Sequence, residues 1–288
     1  FVFRGKVLAE AAGEQRSAMS QSRERGPRRR RDRGRGPTGQ PNGKTGSAKP
    51  GVESSHDPPV DPDVTGDELD GDVLAELRGL HRGVATEVAR HLAMAARTID
   101  EDPELAYQHT IAARRRAARI GVVREAVGIA AYATGRYREA LAELRTVRRM
   151  TGSVDHLPLM ADCERGLGRP RRALELAADP ACTALDKAGR VEMMIVAAGA
   201  RRDMGDIESA VVSLQVPELR APGREPWVAR LRYAYADCLE AAGRRAEAGR
   251  WFMAAAEADT DDETDATERL AALELTEGSG ATSSSGGR

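Results

Sequence analysis

The stretch YATGRYREALAEL, residues 132–144, places a glycine in the middle of an otherwise helix-forming run. Glycine inside a helix costs about 0.5–1 kcal/mol relative to alanine, so an interruption that recurs must serve the fold. It does recur. Gly135 precedes Ala140 by five residues, and the same step separates Gly168 from Ala173, Gly205 from Ala210 and Gly243 from Ala248. The alanines follow one another at intervals of 33, 37 and 38 residues. Thirty-four residues before Ala140 stands Ala106, with Glu101 in the glycine slot. A period of this length is the mark of a repeated supersecondary unit.

The glycine is expected to end a first helix in the left-handed conformation that only glycine adopts cheaply. The chain then turns at once into a second, antiparallel helix. The small alanine on that second helix lets the two approach closely. Twelve residues before each alanine stand Gly128, Ala161, Ala198 and Ala236, all small; four residues after it stand Leu144, Ala177, Leu214 and Phe252, the core-facing position.

This pattern resembles the tetratricopeptide repeat (TPR) family of helical-hairpin solenoids. GIAAYATGRYREALAELRTV, residues 128–147, carries the resemblance best, with Gly128, Gly135, Tyr137, Ala140 and Leu144 in family positions. It extends over about residues 87–260 as five uneven repeats. From ELDGDVLAEL through MADCERGLGRP and VAAGARRDMGD to YAYADCLEAAGR, the chain is similar to a group of cytosolic TPR proteins from high-GC bacteria. The first repeat departs from the pattern, with Met94 at the small position and Glu101 for glycine. Pro180 and Pro217 fall where second helices should continue, so those helices are expected to end early and the following loops to lengthen.

The rest of the chain frames this body. Aromatics make up 3% of the 288 residues and the apolar content is mostly Ala, Leu and Val, so a core must come from many close helix contacts. Alternating β-branched runs are absent. The expected fold is all-α: a right-handed α-solenoid over 63–275, between a tail at 1–62 and a flexible segment at 276–288. Helices are expected over 67–79 and 84–99, with Asp102 and Pro103 starting the next. DDETDATERLAALEL, after residue 260, should form the polar-faced capping helix a solenoid needs.

Charge is segregated. Residues 1–50 carry thirteen Lys and Arg against four Asp and Glu, a surplus of nine; the whole chain is −1, which leaves −10 for 51–288. Residues 19–62 lack hydrophobic periodicity and are expected to be disordered. Residues 1–18 read as an upstream extension, with a bacterial-type start at Met19. The run RERGPRRRRDRGRG includes Arg28, Arg29, Arg30 and Arg31, which suits weak, non-specific contact with nucleic-acid phosphates. No aromatics interleave for base stacking. A solubilising tail is the plainer reading. AARRRAAR, residues 112–119, reads as a solvated outer face.

Catalytic and metal-binding patterns are missing. GQPNGKTG, residues 39–46, has three residues between its glycines where a phosphate-binding loop needs four, and no strand precedes it. The five histidines are scattered, and neither HExxH nor a Gly-x-Ser-x-Gly elbow occurs. Cys163, Cys182 and Cys238 have no CxxC spacing and read as reduced thiols of a cytoplasmic protein. No apolar run approaches the roughly 20 residues of a membrane span. The expectation is a non-enzyme without cofactor or metal.

What the TPR resemblance implies is a concave face, lined by first helices, that holds an extended peptide or partner helix. In this register that face includes Glu125, Ile129, Tyr132, Asp155, Asp162, Arg165, Glu192, Arg202, Arg230, Tyr233, Asp237 and Glu240. Tyrosine beside mixed charge suits a peptide surface; ordinary contacts between repeats are the alternative. The Lys/Asn combination with which some TPR domains clamp a C-terminal carboxylate is not at these positions, which disfavours a chaperone-tail receptor. Finally, Glu164 and Arg201 occupy a usually apolar register in consecutive repeats. Either they form a partly buried ion pair between repeats or the register slips by one residue and both are solvated.

Overall fold

The computed structural model describes residues 57–282, with side chains through 275; the arginine run and residues 1–56 lie outside the described residues. The described chain is all-helical. A short α1 (Gly71–Leu77) leads into five hairpins: α2 (Arg82–Thr98) with α3 (Pro103–Ala117), α4 (Gly121–Ala133) with α5 (Tyr137–Thr151), α6 (Leu157–Gly166) with α7 (Pro170–Ala177), α8 (Lys187–Asp203) with α9 (Ile207–Ser213), and α10 (Pro226–Ala241) with α11 (Arg245–Ala256). A last helix, α12 (Ala266–Thr282), packs on α11 and runs past residue 275. Each hairpin packs on the next through its second helix and the following first helix. First helices also touch directly, as in α2 with α4, α6 with α8 and α8 with α10.

The four glycines close their hairpins in one way. Gly135, Gly168, Gly205 and Gly243 have φ of 71°, 71°, 84° and 76°. At the first, the Gly135 amide donates to the Tyr132 carbonyl at 2.9 Å and the Arg136 amide to the Ala131 carbonyl at 2.7 Å. Glycine-to-third and next-residue-to-fifth bonds of the same kind form at the other three glycines. This double bond satisfies carbonyls that a helix end would leave open. The first hairpin, with Glu101 in the slot, turns differently. Its second helix is started by Asp102, whose carboxylate accepts from the Leu105 amide, with Pro103 at the first position.

The alanines do permit close approach. Ala106, Ala140, Ala173, Ala210 and Ala248 are all fully buried. A Cβ on Gly128 would lie 2.8 Å from Leu144 Cδ2, so this glycine makes room for the leucine one turn beyond Ala140. The prolines cut two second helices short. α7 and α9 have 8 and 7 residues against 15 in α3 and α5, and 3-10 turns at Pro180–Ala184 and Pro217–Arg220 follow them.

Two boundaries differ from expectation at the start of the chain. Residues 57–62, expected in the tail, pack on the body. Asp57 bridges Arg115 and Arg116, and Val60 and Val64 pack on Ala93 and Met94. The Arg90 guanidinium donates to the Val64 carbonyl at 2.8 Å. The 112–119 cluster is therefore engaged rather than solvated: Arg114 also binds Glu139 and Glu143 at 2.9 and 2.8 Å. The helix expected over 67–79 is confined to α1. The Glu68 carboxylate accepts from the Thr65 and Gly66 amides and Gly66 sits at φ 93°, which holds this segment in a turn.

Beneath this strap, α2 and α3 share a buried histidine pair. His91 Nδ1 and His109 Nδ1 are 3.0 Å apart, and the His109 Nε2 atom is buried without a partner.

Candidate polar interface along the first helices

The side chains read as a concave face form a row of contacts between successive first helices. Tyr132 is buried on α4 and donates its hydroxyl to Asp162 on α6. Burial, then the Asp162 charge, pushes the Tyr132 hydroxyl well above its ordinary range, so it stays a donor. Asp162 also accepts from Arg165 at 2.6 Å, and Arg165 reaches Asp203 at the end of α8 at 2.8 Å. Burial opposes the Arg165 charge, but Asp162 and Asp203 outweigh it and raise its pKa.

The row continues toward the C-terminus. Arg202 binds Asp237, which also accepts from Arg269 on α12 at 3.1 Å. Arg269 donates to the Tyr233 hydroxyl at 3.0 Å and binds Glu240. A deeper cluster joins Glu192 on α8 to Arg230 on α10 at 2.7 Å, and Arg230 to Glu263 at 2.5 Å. Burial raises the Glu192 carboxyl even against the Arg230 charge. At the other end, Glu125 meets His156 Nε2 at 3.0 Å, while Ile129 is buried. Asp155 is exposed and accepts from the Ser153 hydroxyl at 2.7 Å.

The structure thus brings Tyr132, Asp162 and Arg165 together, and Arg202, Tyr233 and Asp237 together through Arg269. Arg230 joins Glu192 instead, and Glu125 stands apart with His156. These charges are neutralised across the joints between hairpins. Buried pairs of this kind add little net stability and serve better to set register. The members nearest solvent, Arg202, Glu240 and Arg269, keep between a fifth and a third of their side chains exposed.

Sequence reasoning missed Asp203, Glu263 and Arg269. One signal was available. The partners lie 30 residues apart for Tyr132 and Asp162, 35 for Arg202 and Asp237, 38 for Arg165 and Asp203, and 33 for Arg230 and Glu263. Opposite polar groups about one period apart, on successive first helices or, for Glu263, in the loop before α12, mark the contacts.

The expected Glu164–Arg201 pair does not form. Glu164 is 1% exposed, but it faces back toward α5 and α7, binding Arg145 at 2.9 Å and Arg169 at 3.5 Å. Its α6 side looks at the preceding second helix, not forward at α8. The alternative is also wrong for Glu164, which is not solvated.

Among the described residues no group of three or more His, Cys, Asp or Glu is arranged to hold a metal. No described helix is long and apolar enough to cross a membrane. Cys163, Cys182 and Cys238 form no disulfide with one another, and burial pushes the Cys163 thiol well up. No protein-family model matches the chain, and a search of curated proteins finds no match.

Proposed function

We propose that this chain is a right-handed α-solenoid of TPR-like hairpins and that it works, without catalytic chemistry, as a cytoplasmic scaffold binding a peptide or partner helix along its first helices. The observation that carries the reading is the identical closure of four hairpins at Gly135, Gly168, Gly205 and Gly243, repeated at the period of the alanines. A regular hairpin array presents its first helices as one surface. On that surface Arg202, Glu240 and Arg269 reach solvent, with Glu125 at its edge, and they stand on the buried contacts of Tyr132, Asp162, Arg165, Arg230, Tyr233 and Asp237. Arginine is one of the residue types that dominate binding energy at protein interfaces.

The segregated charge favours a second reading, an RNA- or ribosome-associated protein anchored by Arg28, Arg29, Arg30 and Arg31. One experiment separates them. Affinity capture is run with and without residues 19–50, with and without nuclease, and with an Arg202→Met variant whose helicity is checked by circular dichroism. A partner that survives tail deletion and nuclease but is lost from Arg202→Met supports the scaffold. Capture that disappears with the tail or with nuclease supports RNA anchoring instead.

A further inference from the structure

With Glu164 held by Arg145 and Arg169, Arg201 is left to a different environment. It is half-buried near the C-terminal end of α8, and no carboxylate among the described residues lies within ion-pair distance of it. Of the other half-buried arginines of the first helices, Arg90, Arg124, Arg165, Arg202 and Arg230 each have one, and Arg232 donates instead to the Leu219, Ala221 and Ala254 carbonyls. Arg201 lines a cavity of about 320 Å³ bounded by α7, α8 and Ser213 of α9.

The sequence explains why the cavity exists. The core-facing position of the second helices holds Thr110, Leu144, Leu214 and Phe252, all completely buried, but the smaller Ala177 in α7. The missing side chain leaves the α8 surface uncovered. Leu174, Met193, Met194 and Ala197 then form apolar walls. The Ser213 hydroxyl is already committed to the Ala210 carbonyl at 2.8 Å. Arg201 therefore supplies the charge at the site. An apolar recess of this size with one convergent cation has the make-up of a small-molecule site.

We propose that this cavity binds a small organic acid, an apolar chain or ring bearing one carboxylate, with Arg201 holding the carboxylate and the methionines holding the apolar part. Guanidinium matches a carboxylate with two parallel N–H donors. Methionine adapts to the shape of an apolar group and tolerates both chains and rings. An acid meets both features, whereas an alcohol of the same length leaves the guanidinium without its counter-charge. The site lies between α7, α8 and the end of α9, and none of its lining residues belongs to the surface proposed above.

The test uses the full chain with 13C-labelled methionine methyl groups, followed by NMR as hexanoate is added. The Met193 and Met194 methyl signals should shift and saturate, and hexanol should bind about tenfold more weakly, the size of a charge-assisted hydrogen bond. Arg201→Met should remove the preference for the acid. Ala177→Leu places here the leucine that the second and fourth hairpins carry as Leu144 and Leu214 and fills the recess, so it should keep the fold and abolish the shifts. A peptide Gly-Gly-Leu with a free carboxylate serves as a third probe. No shift with hexanoate, equal binding of hexanol, or binding unchanged in Arg201→Met overturns the proposal. Tighter binding of the peptide than of hexanoate overturns the assignment to a small acid.

Discussion

The histidine pair should make the first hairpin acid-sensitive. Its Nδ1 atoms are 3.0 Å apart, so one must donate and the other accept. Two protonated rings would point N–H at N–H, and the native geometry cannot hold both charges. Burial, then the neighbouring His91, lowers the His109 pKa to about 4. Burial, then Arg116, lowers that of His91. The surrounding charges act in both directions: Arg115 and Arg116 on α3 oppose protonation, while Glu87 on α2 and Asp57 and Asp61 on the strap favour it. Between the ordinary value near 6.5 and about 4, the unfolded chain binds a proton that native His109 does not. Stability from this residue is therefore complete above pH 6.5, falls as the pH drops, and levels off below about 4. Some 2.5 pH units at 1.36 kcal/mol each make the loss about 3 kcal/mol. For a domain of this size that is roughly 6–12 °C in Tm. His91 adds in the same direction, whereas buried Glu192, with its raised carboxyl pKa, works in the opposite sense. Thermal melts followed by circular dichroism from pH 7.5 to 4.5 measure the slope. The double variant His91→Leu, His109→Leu should flatten it. A wild-type Tm that stays level across this range, or a slope that survives in the double variant, refutes the reasoning.

Three further outcomes are expected. Gly135→Val should destabilise by about 1–3 kcal/mol; at φ 71° with open space around its Cβ, the whole cost is backbone strain, so Gly135→Asn should be milder in the same urea melt. In double-mutant cycles, Glu164→Gln with Arg201→Met should be additive to within about 0.5 kcal/mol, while Glu164→Gln with Arg145→Met should not be; coupling to Arg201 would contradict the observed packing. Deleting residues 1–56 should leave Tm unchanged, whereas deleting 1–66 removes buried Val64 and uncovers Met94, lowering Tm by roughly 3–12 °C by calorimetry.

Local chemistry was legible in the chain. A glycine that must reach positive φ, an Asp-Pro helix start and prolines that stop α7 and α9 all act within a few residues, so Gly135, Asp102, Pro180 and Pro217 could be placed from sequence. The row of candidate interface residues was legible in part, because Tyr132, Asp162, Arg165, Arg202, Tyr233 and Asp237 share one helical face. Partner choice was not. Glu164 and Arg201 occupy equivalent registers, yet the rotation of α6 aims the carboxylate at Arg145 on the preceding helix and leaves Arg201 over a cavity. That rotation is set by how whole helices pack, and a long side chain reaches several candidates at similar distance in sequence. The strap at 57–66 shows the same limit. Its composition is polar and rich in proline, but Val60, Val64 and Asp57 find Met94, Arg115 and Arg116 only once α2 and α3 are side by side. Sequence determined where the helices begin, end and turn, because those choices rest on backbone conformations of single residues; tertiary structure decided which charges pair and which surface stays open, because those depend on the relative placement of helices brought together from distant parts of the chain.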